Sequence, residues 1–486
     1  MKPYELTRQE PTCSIEEGQI CWEGVNEVGA IFRYAVNKVI TAAEFDHLFN
    51  TLKQLQPDAI GMTVNTPLFR TAERVTRQIK EHLDVPVIWG GIHPTISAAT
   101  CLEFCDCACV GEGDETIVKI ADAIDKGEDF RQADNLTYLS NGRRIVNSMS
   151  PLQGNLDAYP ARDNSPEGKY FIDNDQVISN YSVVNDKGPG GLYQAMSSRG
   201  CPYKCAYCCE APLKALYAGQ TFLRQRSVEN VIEELVDAKQ SLGIKEILFE
   251  DEVFCLNTRW IEKFAPLYKE KVDLPFSAYL YPSRGIENNL RLLKDAGLKS
   301  GVVALQSGSE RINKEVFRRV YNREYFLNTA QLCKEIGITF DTDVITYNPY
   351  EQEEDLEQTL EVLMDMRGGF QIAVNRLFIM PNTELAERLK RDGILGETAS
   401  RNLMFNYYCR LFYIATYFRN PRRVVGLIKA IGIFRKYPRL LIPSMVKALR
   451  HPAAPARTLI LALLPASVRQ VLKQNKQRLS FGKQPA

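Results

Sequence analysis

The sequence lacks long apolar runs and repeated units, and it contains few histidines. No stretch of 18 uncharged apolar residues is present, so no membrane-spanning helix is expected. No apolar segment follows the first residues, as it would in a secretory signal. The chain has 13 cysteines but only 4 histidines. Without a secretion signal, so many cysteines favour a reducing, cytoplasmic compartment over a disulfide framework.

Acidic residues are missing from the C-terminal part of the chain. Residues 401–486 contain 17 Lys/Arg and no Asp or Glu, which leaves 43 Lys/Arg against 59 Asp/Glu in residues 1–400. Prolines divide this basic region into helices with apolar and aromatic faces, which suit the headgroup layer on the inner face of an anionic membrane. The alternatives are a helical cap with a solvated basic face and a nucleic-acid site. No zinc-knuckle or helix-turn-helix pattern is present, so nucleic acid is not expected as a partner.

Four regions follow from the pattern of strands, helices and turns. In residues 1–150 strands alternate with helices, which predicts an α/β domain with a Rossmann-like, flavodoxin-like parallel sheet. Residues 151–190 are rich in Pro, Asp, Asn and Gly and are interpreted as a linker. A second alternating pattern occupies residues 191–395, and residues 396–486 form the basic helical region.

The predicted elements can be stated individually. The first domain has predicted helices at 43–55, 71–83 and 115–124, predicted strands at 58–64, 85–89 and 107–110, and a hairpin at 135–147. Only residues 19–36 could supply an additional opening strand. The second pattern has predicted strands at 192–197, 246–250, 276–280, 301–306, 340–345 and 376–380. These strands predict a partial (β/α)6 barrel, whose functional groups lie at the carboxyl ends of the strands.

Three cysteines follow the first predicted barrel strand at C-x3-C-x2-C spacing: Cys201, Cys205 and Cys208. This spacing allows a short loop to direct three thiolates at one centre. Thiolates are the usual ligands of iron–sulfur clusters, which normally take four, so a 4Fe–4S cluster here would keep one iron open. A structural zinc loop would need a fourth protein ligand. Cys209 would point away from the others, and the nearest histidine, His93, is far upstream.

The cysteine loop, with the aromatic Tyr207 before its third cysteine, resembles the motif of the radical S-adenosylmethionine (SAM) superfamily. The resemblance extends over about residues 55–390. It implies that the open iron binds SAM through its amino and carboxylate groups. It also implies that one electron, from a reductant such as flavodoxin or ferredoxin, cleaves SAM to methionine and a 5′-deoxyadenosyl radical.

The resemblance places SAM contacts after the second and third barrel strands. Glu250 or Asp251 would accept hydrogen bonds from the cationic amino group of SAM. Ser283 or Arg284 would bind its carboxylate.

Further SAM contacts are placed after the fourth and fifth strands. Gln306 and Ser307 would suit the ribose hydroxyls. Glu351 matches the glutamate of the family pattern Gly-x-Pro-Gly-Glu-Thr, but Tyr347 and Tyr350 replace small residues there. These bulky side chains would narrow the pocket or stack on a ring.

Three loops of the first domain lie at the predicted carboxyl ends of its strands, where α/β sheets bind ligands. Their candidate residues are Thr63, Asn65, Gly90, Gly91, His93, Pro94, Thr95, Gly111, Glu112 and Gly113. The second and third loops resemble those of the cobalamin-binding domain fused to many radical SAM enzymes, which implies a corrinoid held between this sheet and the barrel. The motif Asp-x-His-x-x-Gly, which supplies a histidine to the lower cobalt face in some relatives, is absent. A domain that keeps the fold without cobalamin is the alternative.

A second group of cysteines lies in the first domain, at Cys101, Cys105, Cys107 and Cys109. A metal site is conceivable. However, three of these residues alternate along a predicted strand, and free cysteine packs as a small hydrophobic side chain. The pattern therefore favours packing over metal binding.

The sequence thus predicts a cobalamin-dependent radical SAM enzyme that methylates an unactivated carbon. The basic, aromatic tail suggests a lipid-like or otherwise apolar substrate. One alternative is a radical oxidative cyclase or rearrangement enzyme of the tetrapyrrole-cyclase type. A second, from a different class, is a membrane-docked iron–sulfur protein for electron transfer or sensing.

Overall fold

The computed structural model describes residues 21–25, 31–35, 40–182, 191–254, 256–394, 402–418, 420–438 and 441. The first part contains β1 (Cys21–Val25), β2 (Ile31–Ala35), α1 (Ala42–Leu55), β3 (Ile60–Thr63), α2 (Phe69–His82), β4 (Val87–Gly90), α3 (Ile92–Cys101), β5 (Cys107–Cys109), α4 (Asp114–Asp125), β6 (Leu136–Ser140) and β7 (Arg143–Val146). Strands β3 to β7 form a five-stranded sheet in chain order. The first three are parallel, as predicted, and the predicted hairpin β6–β7 extends the sheet in the antiparallel direction.

Helix α1 shows how the local sequence fixes an element of this domain. Thr41 and Glu44 form a reciprocal capping box, with the Glu44 amide donating to Thr41 Oγ1 over 3.1 Å. Such a box satisfies two amides that the helix itself leaves without acceptors. Phe45 and Phe49, one turn apart, are buried and pack in one cluster with Trp89. The sheet therefore gains its core from the apolar stripe that the sequence predicts.

The second part contains the linker and the barrel. Its elements are β8 (Tyr170–Asp173), β9 (Gln176–Ser179), β10 (Leu192–Ala195), β11 (Ser198–Arg199), α5 (Glu210–Leu216), β12 (Arg224–Gln225), α6 (Val228–Leu242), β13 (Glu246–Phe249), α7 (Thr258–Lys271), β14 (Phe276–Leu280), α8 (Ile286–Ala296), β15 (Leu298–Val303), a π-helical turn (Ile312–Val316), α9 (Arg323–Ile336), β16 (Thr339–Thr346), α10 (Glu353–Asp365), β17 (Gln371–Arg376) and α11 (Glu384–Arg391). Strands β10, β13, β14, β15, β16 and β17 are parallel neighbours in that order, and helices follow them. This is the predicted partial barrel. The region predicted as a linker contains the hairpin β8–β9.

Two predicted barrel strands are displaced along the chain. The fourth was expected at 301–306 and begins at Leu298, directly after Gly297, whose φ of +128° ends helix α8. The sixth was expected at 376–380 and lies at Gln371–Arg376. Within it, alternate residues Ile372 and Val374 are buried against the helices. The period-2 pattern therefore starts earlier than the apolar run of residues 377–380, which continues as a loop.

The expectation for residues 19–36 requires a correction. In the part of this stretch that the structure describes, β1 and β2 form a hairpin, and β1 pairs antiparallel with β17 of the barrel. The hairpin thus extends the barrel sheet rather than opening the five-stranded sheet. An antiparallel pairing covers the backbone hydrogen-bonding groups that the last strand of an open barrel would otherwise expose.

The basic tail begins with α12 (Asn402–Tyr417), α13 (Pro421–Ala430) and α14 (Ile433–Lys436). Aromatic residues of α12, including Phe405, Phe412 and Tyr413, are buried in the barrel cluster. Three tail cations pair with carboxylates of α10: Arg422 with Asp365, Lys429 with Glu357, and Arg435 with Glu353. In residues 402–438 the basic tail therefore packs as helices on the barrel, and these three of its cations pair with carboxylates of α10. Residues 442–486 lie outside the described residues.

No helix within the described parts of the chain is both long enough and apolar enough to cross a membrane.

Candidate cofactor and substrate site

The cysteine loop begins at a glycine that no other residue could replace without moving the backbone. Gly200 has a φ of +91°, and a Cβ atom on it would lie 2.6 Å from the carbonyl oxygen of Phe222. Further along, the Ala206 amide donates to the Phe317 carbonyl over 2.7 Å, and the Ala206 carbonyl accepts from Leu385 over 2.9 Å. The loop is therefore held between the end of the π-helical turn and the start of α11.

The three motif cysteines are close enough to influence one another. Burial raises the pKa of Cys201 to about 11, with smaller contributions from the charges of Glu210, Cys208 and Cys205. A hydrogen bond with Cys209 is the main cause that raises the pKa of Cys208. Across the residues that the structure describes, no three His, Cys, Asp or Glu side chains are already arranged as a metal site. Three neighbouring thiols fit a cluster in number and chemistry, and its binding would require their deprotonation and rearrangement.

A half-buried arginine, Arg319, lies beside this loop. The Arg319 guanidinium donates to the Cys205 side chain, and it also donates to the Ala304 carbonyl over 2.8 Å. It lies 4.8 Å from the ring centroid of Tyr281, which stacks on Tyr203 of the loop. A nearby cation favours thiolate over thiol and would offset the negative charge of a thiolate-bound cluster. Arg319 was not among the predicted site residues, because a single arginine between two helices does not by itself indicate a binding role.

A cavity of about 640 Å³ lies against the loop in the barrel interior. Its walls come from the loop and from β14 to β17, and they include Tyr207, Cys208, Tyr279, Val302, Gln306, Asp341, Thr342, Asp343, Ile345, Gln371, Ile372, Ala373, Asn375, Arg376, Leu377, Phe378 and Met380. Tyr207 is fixed by an edge-to-face contact with Phe317, at 4.8 Å between ring centroids. The volume is within the range of small-molecule sites. The predicted cluster ligand Cys208 therefore faces a space that can hold a substrate.

Gln306 lies on the cavity wall and Ser307 does not. Gln306 has a φ of +61°, and its backbone bridges to β16 through Asp343 and Ile345. Its Oε1 atom is buried without a hydrogen-bond partner in the described structure, so it could accept from a ligand. Ser307 is buried; its Oγ lies 3.3 Å from Thr359 Oγ1 and accepts from the Ser309 amide. Of the two residues predicted to contact the ribose of SAM, only Gln306 therefore reaches the cavity.

The acidic residues after β13 differ in their surroundings. Asp251 is fully buried and accepts hydrogen bonds from the Ser197 amide, the Ser197 hydroxyl and the Ser198 hydroxyl. It therefore joins the carboxyl ends of β10 and β13 rather than facing a ligand. Glu250 is exposed and accepts from the Gln194 amide.

A carboxylate that the sequence analysis missed lies nearer the cysteines. Burial, together with the charge of Glu252, raises the pKa of Glu210 to about 7. The same carboxylate accepts from the Cys201 backbone amide. Glu210 and Glu252 thus form a carboxylate pair beside the loop, a better placed acceptor for a cationic ligand than Asp251.

The remaining predicted SAM contacts lie outside the cavity wall. Ser283 is half-buried and Arg284 is exposed, at the loop before α8. Glu351 is almost fully buried, and burial together with Asp355 raises its pKa well above the usual range. Their roles in SAM binding stay predictions.

The predicted cobalamin loops meet at the carboxyl edge of the five-stranded sheet. The His93 amide donates to the Val64 carbonyl over 3.0 Å, and the Gly111 amide donates to Thr95 Oγ1 over 3.0 Å. Gly91 has a φ of +95°, and a Cβ atom there would lie 3.2 Å from the Val64 backbone. These glycines allow the loops to pack closely against one another.

Other predicted residues of this edge are open to a ligand. Thr63 and Asn65 are exposed, whereas Pro94 and Thr95 are buried in the first turn of α3. Exposed polar groups and loop backbone at the carboxyl edge fit a large polar cofactor such as a corrinoid. The residues that would hold it are therefore Thr63, Asn65 and the Gly90-Gly91 backbone.

His93 is placed as a packed residue. Its Nδ1 atom lies 3.2 Å from Thr66 Oγ1, and its ring is 4.5 Å from the ring of Phe69. Burial lowers its pKa to about 4, so it is neutral at physiological pH. Its Nε2 atom is buried with no partner in the described structure. This setting agrees with the absence of the Asp-x-His-x-x-Gly motif.

The loop of Gly111, Glu112 and Gly113 contacts the barrel. Glu112 pairs with Arg224, whose side chain is only 2% exposed, and lies 3.3 Å from Arg199. Arg199 also contacts Asp114 at 2.8 Å. The Glu112 amide donates to Tyr217 Oη over 2.8 Å. We name Arg199, Arg224, Glu112, Asp114 and Tyr217 the interdomain clamp.

The clamp connects the two predicted cofactor regions. Arg199 directly precedes Gly200 and Cys201, so the strand that enters the cysteine loop is ion-paired to the edge of the five-stranded sheet. A second contact joins Asn382 to the Ile96 carbonyl, beside the kink that Ser97 makes in α3.

The thiols of the cysteines in the first domain are buried and protonated. Burial raises the pKa values of Cys101, Cys105 and Cys107 to about 12. Cys105 Sγ donates to the Cys101 carbonyl. Such thiols stay protonated and pack as apolar groups, which is the interpretation that the strand pattern favours.

Two family profiles match the chain. The Radical SAM superfamily profile matches residues 196–363, which contain the cysteine loop and β13 to β16. The B12 binding domain profile matches residues 21–121, which contain the three loops at the sheet edge. The Radical SAM profile implies a 4Fe–4S cluster and SAM, and the B12 binding domain profile implies cobalamin.

Curated relatives resemble the chain at moderate identity. An uncharacterised methyltransferase of Pyrococcus horikoshii is 28% identical over 326 residues, which are 65% of this chain and 66% of the relative. The anaerobic magnesium-protoporphyrin IX monomethyl ester cyclase of Rubrivivax gelatinosus is 24% identical over 338 residues, which are 66% of this chain and 56% of the relative. The chain thus spans less than two thirds of the length of these curated relatives.

A solved structure shares the fold. The cobalamin-dependent S-adenosylmethionine radical enzyme OxsB, with aqua-cobalamin bound, superposes with a TM-score of 0.61 at 16% identity. The match covers 88% of this chain and 70% of OxsB. It supports the order of an N-terminal α/β domain followed by a barrel.

Proposed function

We propose that this chain, which belongs to the radical SAM superfamily and carries a B12 binding domain, methylates an unactivated carbon of a small molecule in a cobalamin-dependent reaction. The observation that carries the proposal is the position of the cysteine loop. It borders a cavity of about 640 Å³ on one side, and through Arg199 it is joined to the B12-binding sheet on the other. When bound, the cluster and SAM supply the radical that activates the carbon, and cobalamin supplies the methyl group.

The residues of the chain bind, orient and shield the reactants in this proposal. Cys201, Cys205 and Cys208 hold the cluster, and Arg319 offsets their negative charge. Tyr207 and the apolar wall of the cavity limit access of water to the reacting carbon. The clamp fixes the sheet edge relative to the loop, so that both cofactors reach the same substrate.

The cluster assignment is tested by comparing two neighbouring cysteines. Cys205→Ala removes a motif ligand, and Cys209→Ala removes the adjacent thiol outside the motif. After anaerobic reconstitution, we expect Cys205→Ala to lose bound iron and 5′-deoxyadenosine formation, and Cys209→Ala to retain both. A Cys205→Ala protein that still cleaves SAM would contradict the assignment.

The methylation step is tested by product mass with and without hydroxocobalamin. Bound corrinoid, S-adenosylhomocysteine and a product heavier by one methyl group are the expected results. 5′-Deoxyadenosine without retained corrinoid or methylated product would instead favour a radical cyclase or rearrangement enzyme. The similarity to the Rubrivivax cyclase over 66% of the chain supports the radical cyclase as the second candidate function. Failure to bind SAM would favour the electron-transfer or sensing alternative.

The lipid-like substrate and the membrane surface stay predictions. Their basis was the basic tail, and three cations of its described part are occupied by α10. Co-sedimentation of the full chain with anionic vesicles, compared with neutral vesicles of equal size, tests the membrane surface. Equal recovery in both would remove the reason for expecting a lipid substrate.

A further inference from the structure

Two carboxylates that are not among the predicted cofactor contacts lie on the inner face of the barrel. Asp341 and Asp343 are two residues apart on β16, so their side chains project from the same face of the strand. Both line the cavity. The Ser300 hydroxyl donates to Asp341 over 2.8 Å, and the Asn375 side chain donates to Asp343.

The positive end of the cavity is elsewhere. The remaining charged side chain on the wall is Arg376, whose guanidinium lies 4.1 Å from the ring centroid of Tyr347. Asp341 is in register with Gln371 and Asp343 with Ala373, whereas Arg376 ends β17. Three to five strand residues separate these levels, which corresponds to roughly 10 to 17 Å. The deep end of the cavity is therefore acidic.

Further acceptors face this region. The Oδ1 atom of Asn375 and the Oε1 atom of Gln306 are buried and have no hydrogen-bond partner within the described structure. Buried acceptors without donors are costly, and in binding sites a ligand commonly supplies the missing donors. Two carboxylates and two amide oxygens make the polar part of the wall an acceptor surface.

We propose that the substrate presents a cationic hydrogen-bond donor, of the protonated-amine class, to Asp341 and Asp343. Most of the remaining wall is apolar, with Val302, Ile345 and Phe378 among its residues, so the amine is carried on an apolar frame. This inference rests on the proposed function, since it names the substrate class of the same site. It differs from the lipid expectation, which requires no cation-binding group in the barrel.

Charge-matched probe pairs test the proposal. Equilibrium dialysis of the reconstituted full chain measures binding of tryptamine against indole-3-propionate, and of 4-phenylbutylamine against 4-phenylbutyrate. The wild-type protein should prefer the amine of at least one pair by about tenfold or more. Asp341→Asn and Asp343→Asn should each weaken amine binding by roughly tenfold, because they remove a charge-assisted hydrogen bond. Asp295→Asn, at an exposed position of α8, is the matched control.

Three outcomes would overturn the assignment. The first is an absence of amine preference in both pairs at millimolar concentration. The second is an amine preference that survives both substitutions. The third is a tenfold loss of SAM binding in Asp343→Asn, which would assign the carboxylates to the ammonium group of SAM. SAM cleavage is measured in the same preparations, and its absence in the wild type would contradict the proposed function while leaving the dialysis result to decide the amine site.

Discussion

Asp343 illustrates how single residues of the site differ from what their neighbours in sequence suggest. It lies in a strand whose alternate residues Thr342 and Val344 are buried against the helices. Acidic residues at alternate positions of such a strand are typical of a solvent-facing surface. Only the closure of the barrel places that face of β16 in the interior. The cysteine motif, in contrast, was predictable, because its chemistry is contained in eight consecutive residues. Arg319 was not, since it acquires its role from a loop more than a hundred residues away in sequence. Glu210 follows the motif by two residues, but burial and the charge of Glu252 give it its raised pKa, and neither is visible in local sequence.

The unusual environment of Asp343 should be visible in stability. Burial and the charge of Asp341 raise its pKa from 3.8 to about 6. A raised carboxyl pKa means that the native state holds the proton more tightly, so stability is lost as pH rises through about 6. Asp343→Asn should therefore increase the free energy of unfolding at pH 8, by about 1 to 3 kcal/mol, and change it little near pH 4. Urea titrations at both pH values measure this difference, with Asp295→Asn as the control; a uniform effect at both values would contradict the ionisation of Asp343 in the folded state.

At the scale of elements, strands and helices were predictable where an apolar pattern is bounded by a clear break. Strand β14 begins and ends where the sequence predicts, and helix α1 begins one residue earlier than predicted. Strands β15 and β17 were misplaced by several residues because apolar residues continue beyond them into loops. The paths of the loops depend on residues with positive φ, and Gly200 in the cysteine loop is one of them.

A pair of glycines separates backbone strain from steric conflict in the cysteine loop. Gly200 and Gly219 both have positive φ, at +91° and +87°. A Cβ atom on Gly200 would meet the Phe222 carbonyl, whereas one on Gly219 would have nothing within 4 Å. Gly200→Ala should therefore lower iron incorporation severalfold, while Gly219→Ala should bear only the conformational cost of about 1 to 2 kcal/mol. Iron content after reconstitution and the thermal midpoint distinguish the two; equal iron loading would show that the loop tolerates the displacement.

For the whole molecule, the position of the B12-binding sheet on the barrel depends on the interdomain clamp. The sequence analysis assigned Glu112 to cofactor binding, because a loop between two glycines at a strand end resembles a ligand site. The structure pairs it with Arg224 and Arg199. Pairings between residues about 90 to 110 positions apart leave no trace in local pattern, so this contact could not be predicted from one sequence.

Loss of the clamp should loosen the two domains. Glu112→Gln leaves the buried Arg224 without its carboxylate, and an uncompensated buried charge costs about 3 to 5 kcal/mol. We expect earlier proteolysis between the domains and a lower unfolding midpoint, with the cysteine loop still able to take up iron. Lys263→Met, which breaks an exposed ion pair with Glu229, is the control and should change neither measurement. Unchanged proteolysis of Glu112→Gln would show that other contacts hold the domains together.

The hairpin of β1 and β2 has a consequence for biosynthesis. Gly24 is paired with Ala373, so the hairpin meets its partner strand only after about 350 further residues have left the ribosome. The five-stranded sheet lies entirely within residues 60–146 and can close on the nascent chain long before that point. The hairpin can join β17 only later, since closing so long a loop is slow compared with local pairing. The hairpin, although synthesised before the five-stranded sheet, would then be among the last elements to reach its native contacts.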